Sequence, residues 1–134
     1  MKEKLQETIG ILRNLVGFET ISGTSTEKIN KFIIEYLEEH DIEYNLSYDN
    51  DGSRANVFAT IGPKINGGVL FNGHTDVVPV KGQKWATDPF KLTQIDDRLY
   101  GRGSVDMKGF LACMLASVPM FKEANLKKPI HLSL

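Results

Sequence analysis

This chain has very little cysteine and no long apolar run. Its 134 residues include one cysteine, Cys113, so no disulfide can close within the chain and the fold must rest on its core. No uninterrupted apolar stretch approaches the roughly 20 residues that span a bilayer. The opening residues, Met1-Lys2-Glu3-Lys4-Leu5, carry charge where a secretory signal needs an apolar centre. An excess of one charge sign is also missing: 16 basic against 17 acidic residues leave a net charge of -1. Neither nucleic acid nor an anionic membrane therefore has an electrostatic reason to bind. The chain also lacks internal repeats, low-complexity tracts and linker-like stretches. What remains is 41% hydrophobic and 25% charged, the composition of a soluble globular domain. The length suits one domain, and a cytoplasmic location is expected.

Hydrophobic spacing supplies the elements. Leu5, Ile9, Leu12 and Val16 recur at helical intervals, which predicts an amphipathic helix over residues 3–16. Thr24 and Glu27 fit a capping box for a second helix, whose apolar face is Ile29, Phe32, Ile33, Tyr36 and Leu37 and which ends near His40. The period then switches to two. Ile42, Tyr44, Leu46 and Tyr48 predict a half-buried strand, the turn residues 49–52 follow, and residues 55–61 form its hairpin partner. Residues 68–73 read as a short strand buried on both faces. Two short strands flank Asp96-Asp97. A third helix begins near Phe110 and should end or kink at Pro119. Residues 129–134 alternate as a last strand. Mixed strands and helices make the class α/β, a three-layer mixed sheet flanked by helices.

Two glycine-punctuated strings carry the chemistry: Gly73-His74-Thr75-Asp76-Val77-Val78-Pro79, and Gly101-Arg102-Gly103-Ser104-Val105-Asp106-Met107-Lys108-Gly109. His74 and Asp76 are two apart in an extended segment, so their side chains project to one side. One imidazole nitrogen of His74 can bind a metal while the other donates to the Asp76 carboxylate, which fixes the tautomer. The plainer alternative is a surface loop with an Asx turn. Asp106 stands before a helix, where an aspartate caps free N–H groups; as a ligand its two oxygens can bridge two ions. The string Gly101-x-Gly103-Ser104 also admits a phosphate-binding loop, but no full dinucleotide or Walker pattern accompanies it. Cys113 reads as a buried structural thiol. His40 and His131 read as non-ligands, Trp85 as either loop packing or an entrance wall, and Arg102 as a candidate for a substrate carboxylate.

Together with Trp85-Ala86-Thr87-Asp88-Pro89-Phe90 and Leu99-Tyr100, these strings resemble the zinc-dependent amidohydrolase and exopeptidase family over essentially the whole chain. The resemblance implies that His74 binds one zinc, that Asp76 clamps its imidazole as the catalytic aspartate, and that Asp106 bridges two zinc ions, with cobalt as an alternative metal. It also implies a cis peptide bond at Asp106-Met107. Asp88-Pro89-Phe90 and Phe110-Leu111-Ala112-Cys113-Met114-Leu115-Ala116 are most similar to the acetylornithine deacetylase branch. The substrate implied is a small N-acyl amino acid, N-acetylornithine, hydrolysed on the way to arginine. A desuccinylase or aminoacylase is the alternative, and a non-catalytic interaction module is the reading from another class.

The family pattern continues with a Glu-Glu pair soon after such a last strand, the first residue a general base and the second a ligand. Further ligands follow a lid or dimerisation domain. None of these positions falls within residues 1–134. The expectation is therefore the N-terminal part of a catalytic domain, binding zinc weakly or not at all and inactive alone. An unpaired edge on residues 129–134 predicts self-association.

Overall fold

The structure, a computed structural model, describes residues 2–134. In chain order it contains α1 (Lys2–Gly17), α2 (Glu27–Glu39), β1 (Tyr44–Tyr48), β2 (Ala55–Ile61), β3 (Val69–Asn72), β4 (Thr93–Ile95), β5 (Arg98–Tyr100), α3 (Lys108–Ala116), α4 (Val118–Glu123) and β6 (Ile130–Ser133). The spacing-based elements are all present. Four strands form one mixed sheet in the order β1-β2-β6-β3, and β4 and β5 form a separate hairpin. β1 and β2 pair antiparallel, as do β2 and β6. β3 and β6 run parallel, joined by a crossover that carries α3 and α4.

Period-two alternation decides which face is covered. Val57, Ala59 and Leu132 share one face and are fully buried, and the helices gather over it through Leu15, Ile29, Ile33, Leu111 and Leu115. Burial of each such side chain stabilises by about 1.5–3 kcal/mol. The opposite face bears Asn56, Phe58, Leu70 and His131 and is open, with Phe58 40% exposed. The described residues thus supply two of the three expected layers, the sheet and one layer of helices.

Several local expectations are corrected. β3 is not buried on both faces: it is a rim strand with β6 as its neighbour, and Val69 and Leu70 are each 54% exposed. A four-residue apolar run looks the same at the rim and at the centre of a sheet, because periodicity reports no neighbours. β6, expected to have a free edge at residues 129–134, is instead paired on both sides, so that edge offers no route to self-association. Thr24 does not cap α2. Its hydroxyl donates to the Ile21 carbonyl, and the N-cap position is Thr26, whose hydroxyl serves Asn30 and Ala55 instead. Of the two outcomes expected at Pro119, the helix ends rather than kinks: α3 stops at Ala116, and Pro119 sits in the first turn of a further helix, α4, where its missing N–H costs nothing. Cys113 is exposed rather than buried, because it lies on the side of α3 turned away from Leu111, Ala112, Met114 and Leu115.

Candidate metal centre

β3 and the β5–α3 connection deliver the key side chains. β3 ends at Asn72 and the chain turns at Gly73, packed so closely under α3 that a Cβ there would lie 2.7 Å from Leu111 Cδ2. His74 therefore emerges at the rim of the sheet. Its backbone N–H points at Met107 Sδ, 3.4 Å away. On the other side Gly103, at φ +80, makes the turn that brings Asp106 round to face it. The Asp106-Met107 peptide bond is cis, as the resemblance implied.

Asp106 is not a helix cap. The residue before α3 is Met107, no side chain caps that terminus, and the Asp106 side chain is 85% exposed. Its Oδ1 lies 3.0 Å from His74 Nε2. The other ring nitrogen, Nδ1, lies 3.0 Å from the Asp76 carbonyl and 3.1 Å from Asp76 Oδ1. Both of those partners only accept, so Nδ1 carries a hydrogen. Nε2 also faces only an acceptor, the Asp106 carboxylate, so it holds a hydrogen in the charged ring and offers a lone pair to a cation in the neutral one. In the metal-free ring, burial disfavours the charged form. The hydrogen bonds to the Asp76 carbonyl and the Asp106 carboxylate outweigh it, and the imidazole pKa lies above its ordinary value.

The three residues singled out in the sequence are therefore brought together. Imidazole nitrogen and carboxylate oxygen are donors that suit zinc, and donors of one tetrahedral zinc at about 2 Å stand a little over 3 Å apart. The fit is partial, since Asp76 is turned onto Nδ1 and leaves two groups facing the gap. Among the described residues, no group of three or more His, Cys, Asp and Glu side chains is arranged to hold a metal. A cleft of about 440 Å³ opens beside His74 and Asp76, lined among others by Arg54, Asn72, Met107 and Ser133. Lys108, which spacing did not single out, is fully buried beneath this site and donates to the Phe18 carbonyl at 2.7 Å. Burial pushes its ammonium down to about 8, against the pull of the Asp76 charge. A lysine two residues after a candidate ligand looks like surface charge in a sequence, and only the packing of α1 against α3 encloses it.

The remaining candidates lie elsewhere. Trp85 packs under the Arg102 guanidinium, 5.1 Å from carbon to ring centroid, and Arg102 also donates to Gln83, so packing is the role the structure gives both. His40 closes α2, with Nδ1 2.8 Å from the Tyr36 carbonyl. His131 stacks on Phe58 and has Thr60 Oγ1 at 2.9 Å, with no carboxylate in contact.

With this geometry in place, similarity to known proteins decides the family. Residues 70–134 carry the match to a peptidase M20 family domain, through the model of peptidase family M20/M25/M40. An acetylornithine deacetylase from Shigella sonnei is 37% identical over 139 residues, covering 98% of this chain and 36% of the relative. Among solved structures, human carnosine dipeptidase 1 superposes with a TM-score of 0.79 at 25% identity, covering 98% of this chain and 32% of that one. An M20 family metallo-carboxypeptidase, Sso-CP2 from Sulfolobus solfataricus, gives a TM-score of 0.75 at 28% identity, covering 99% and 30%. The chain spans about a third of the length of the relatives it matches. The M20 match begins at the second residue of β3 and takes in His74, Asp76 and Asp106 together. No helix among the described residues is long and apolar enough to cross a membrane.

Proposed function

We propose that this chain supplies His74, Asp76 and Asp106 to the zinc site of an amide hydrolase whose substrate is N-acetylornithine and whose products are ornithine and acetate. One observation carries the reading: His74 Nε2 and an Asp106 carboxylate oxygen face each other at 3.0 Å while the far side of the ring is held by acceptors. Zinc, when bound, supplies Lewis acidity and a water acidic near neutral pH.

The chain's own residues do the preparation. His74 keeps its hydrogen on Nδ1, against the carbonyl and carboxylate of Asp76, so Nε2 remains a donor. Asp106 spends neither oxygen on the start of α3: Oδ1 faces His74 Nε2 and the side chain is otherwise open to solvent, which suits a carboxylate shared by two ions. The cleft beside His74 and Asp76 leaves room for a small N-acyl amino acid. The substrate choice is supported by the acetylornithine deacetylase relative and by residues 88–90. N-succinyl-diaminopimelate and other acyl amino acids are the runners-up.

Two donor groups facing the gap are fewer than the three protein ligands usual for catalytic zinc. These 134 residues by themselves are expected to bind zinc weakly and to hydrolyse no acetylornithine. Zinc calorimetry tests the site: binding heat should vanish in both His74→Ala and Asp106→Asn, and an isotherm unchanged by both substitutions would sink the reading. Substrate class is tested in a protein that joins this segment to the remainder found in its relatives. Acetate release from N-acetylornithine should outpace cleavage of N-succinyl-diaminopimelate or a dipeptide, and the reverse order would replace the substrate.

A further inference from the structure

Residues 18–22, between α1 and α2, run alongside the turn that carries His74. The Val77 N–H donates to the Thr20 carbonyl at 2.8 Å, the Ser22 N–H donates to the Val77 carbonyl at 2.9 Å, and the Thr20 hydroxyl donates to the Thr75 carbonyl at 2.6 Å. Ile21 and Val77 form a parallel bridge. The other end of the segment is tied to the Asp106 side, because the Phe18 carbonyl accepts from the buried Lys108. One strap thus holds both turns of the site.

At the far end of the strap the Ser22 hydroxyl makes two contacts that backbone pairing does not require, the weaker being to the Val77 carbonyl at 3.4 Å. The Ser22 hydroxyl donates to Asp76 Oδ2, while Asp76 Oδ1 lies against His74 Nδ1. A carboxylate gripped at one oxygen can still swing about its Cβ–Cγ bond, because that torsion is broad. Gripped at both oxygens, it cannot. We propose that Ser22 is a positioning residue: its hydroxyl sets the rotation of the Asp76 carboxylate and, through it, keeps the His74 hydrogen on Nδ1 and the lone pair on Nε2. The consequence for zinc rests on the proposed role of His74 as a ligand, whereas the effect on the ring does not.

The test is nitrogen and proton NMR of the histidine rings in the metal-free protein at alkaline pH. The unsubstituted protein should show His74 mainly as the Nδ1–H tautomer with slowed exchange of that hydrogen. Ser22→Ala should speed the exchange at least about threefold and raise the Nε2–H population. Ser22→Thr, which retains the hydroxyl, should restore both. Thr24→Ala removes a neighbouring hydroxyl that bonds only the Ile21 carbonyl, and should change neither. If Ser22→Ala does not fold, Ser22→Cys, with a similar shape and a weak donor, should show the same loss. Identical tautomer and exchange in folded Ser22→Ala and the unsubstituted protein would overturn the proposal, as would failure of Ser22→Thr to differ from Ser22→Ala. In a parallel zinc titration Ser22→Ala should weaken binding about 3- to 10-fold, toward the low end of outer-partner effects. A ring that responds while no variant binds zinc supports the role of Ser22 and removes the metal reading instead.

Discussion

His74 and His131 make an instructive pair, since one stands past the end of a strand and the other within one, and they differ in what faces them. His131 sits on β6 opposite Leu70, on the open face, with Phe58 stacked on it and a hydroxyl at one nitrogen. It borders the larger cleft, about 560 Å³, along with Lys122 and Asp41. His74 stands just past the end of β3 beside a cleft of about 440 Å³, with a carboxylate at each nitrogen. The larger space is the poorer candidate. Within a strand a side chain meets its cross-strand neighbours, here an aromatic ring and a threonine. Past the end of a strand the backbone is free to turn, and turns from distant parts of the chain converge there. The charges at the larger cleft are spent on the pairs Lys122–Asp41 and Lys64–Glu43, whereas an imidazole between two carboxylates is what makes the smaller cleft chemically capable.

The sharpest way to break this comparison is to remove each ring in turn. His74→Ala should weaken zinc binding by more than about 100-fold, with binding heat lost in calorimetry, whereas His131→Ala should leave the isotherm unchanged. Equal effects would mean that the two histidines are not different in kind.

A second measurement asks whether the turn around Asp106 is as tightly constrained as its geometry says. A Cβ on Gly109 would collide with the Ser104 backbone carbonyl, and backbone cannot swing aside as a side-chain tip can. Gly109→Ala should lower stability by about 1–3 kcal/mol in denaturant unfolding and weaken zinc binding with it. Gly10, on α1 with nothing near its Cβ position, is the control. Gly10→Ala should stabilise by about 0.4–1 kcal/mol.

On the His131 side the effects should be small. Thr60→Val removes the hydroxyl beside the ring and should cost about 0.5–1.5 kcal/mol, since the ring keeps access to water on the open face. Zinc binding should not move.

The smallest effect belongs to Asp41 and Lys122 at the edge of the larger cleft, where Nζ and Oδ2 are 2.9 Å apart. The hydrogen bond and charge of Lys122 hold the Asp41 pKa below the ordinary carboxylate value. A lowered folded-state pKa contributes stability that is present above the unfolded pKa and lost as pH falls through the folded one. The melting-temperature difference between the unsubstituted protein and Lys122→Met should therefore be slight at neutral pH and shrink below the carboxylate range to what the Lys122 bond to the His40 carbonyl leaves. A difference that grows as acid is added would contradict the pairing.

How much of this was legible beforehand depended on the range of the interaction. The helix over Leu5, Ile9, Leu12 and Val16, the β1–β2 hairpin and the β4–β5 hairpin all depend on neighbours within a few positions. Period and turn residues record such neighbours directly. The rim position of β3 and the doubly paired β6 depend on which strands lie beside them, and nothing in four alternating residues states that. Cys113 was misplaced for a related reason: in the apolar stretch from Phe110 to Leu115, helical phase alone does not say which side meets the sheet. At the site, His74, Asp76 and Asp106 were readable because their residue types and strings carried the family resemblance. Ser22 and Lys108 were not, because a serine in a loop and a lysine at a helix start are common in any sequence.

By itself, then, the sequence determined the elements, the α/β class and the choice of His74, Asp76 and Asp106 as the candidate site, since each follows from local spacing or from a contiguous string. Tertiary structure alone decided that Nε2 of His74 meets Asp106 at 3.0 Å, that Ser22 grips Asp76, and that Lys108 is enclosed. Those contacts join positions 32, 54 and 90 residues apart. Contacts of that span exist only once the sheet and helices have packed, because closing such distances costs chain entropy that only the assembled core offsets.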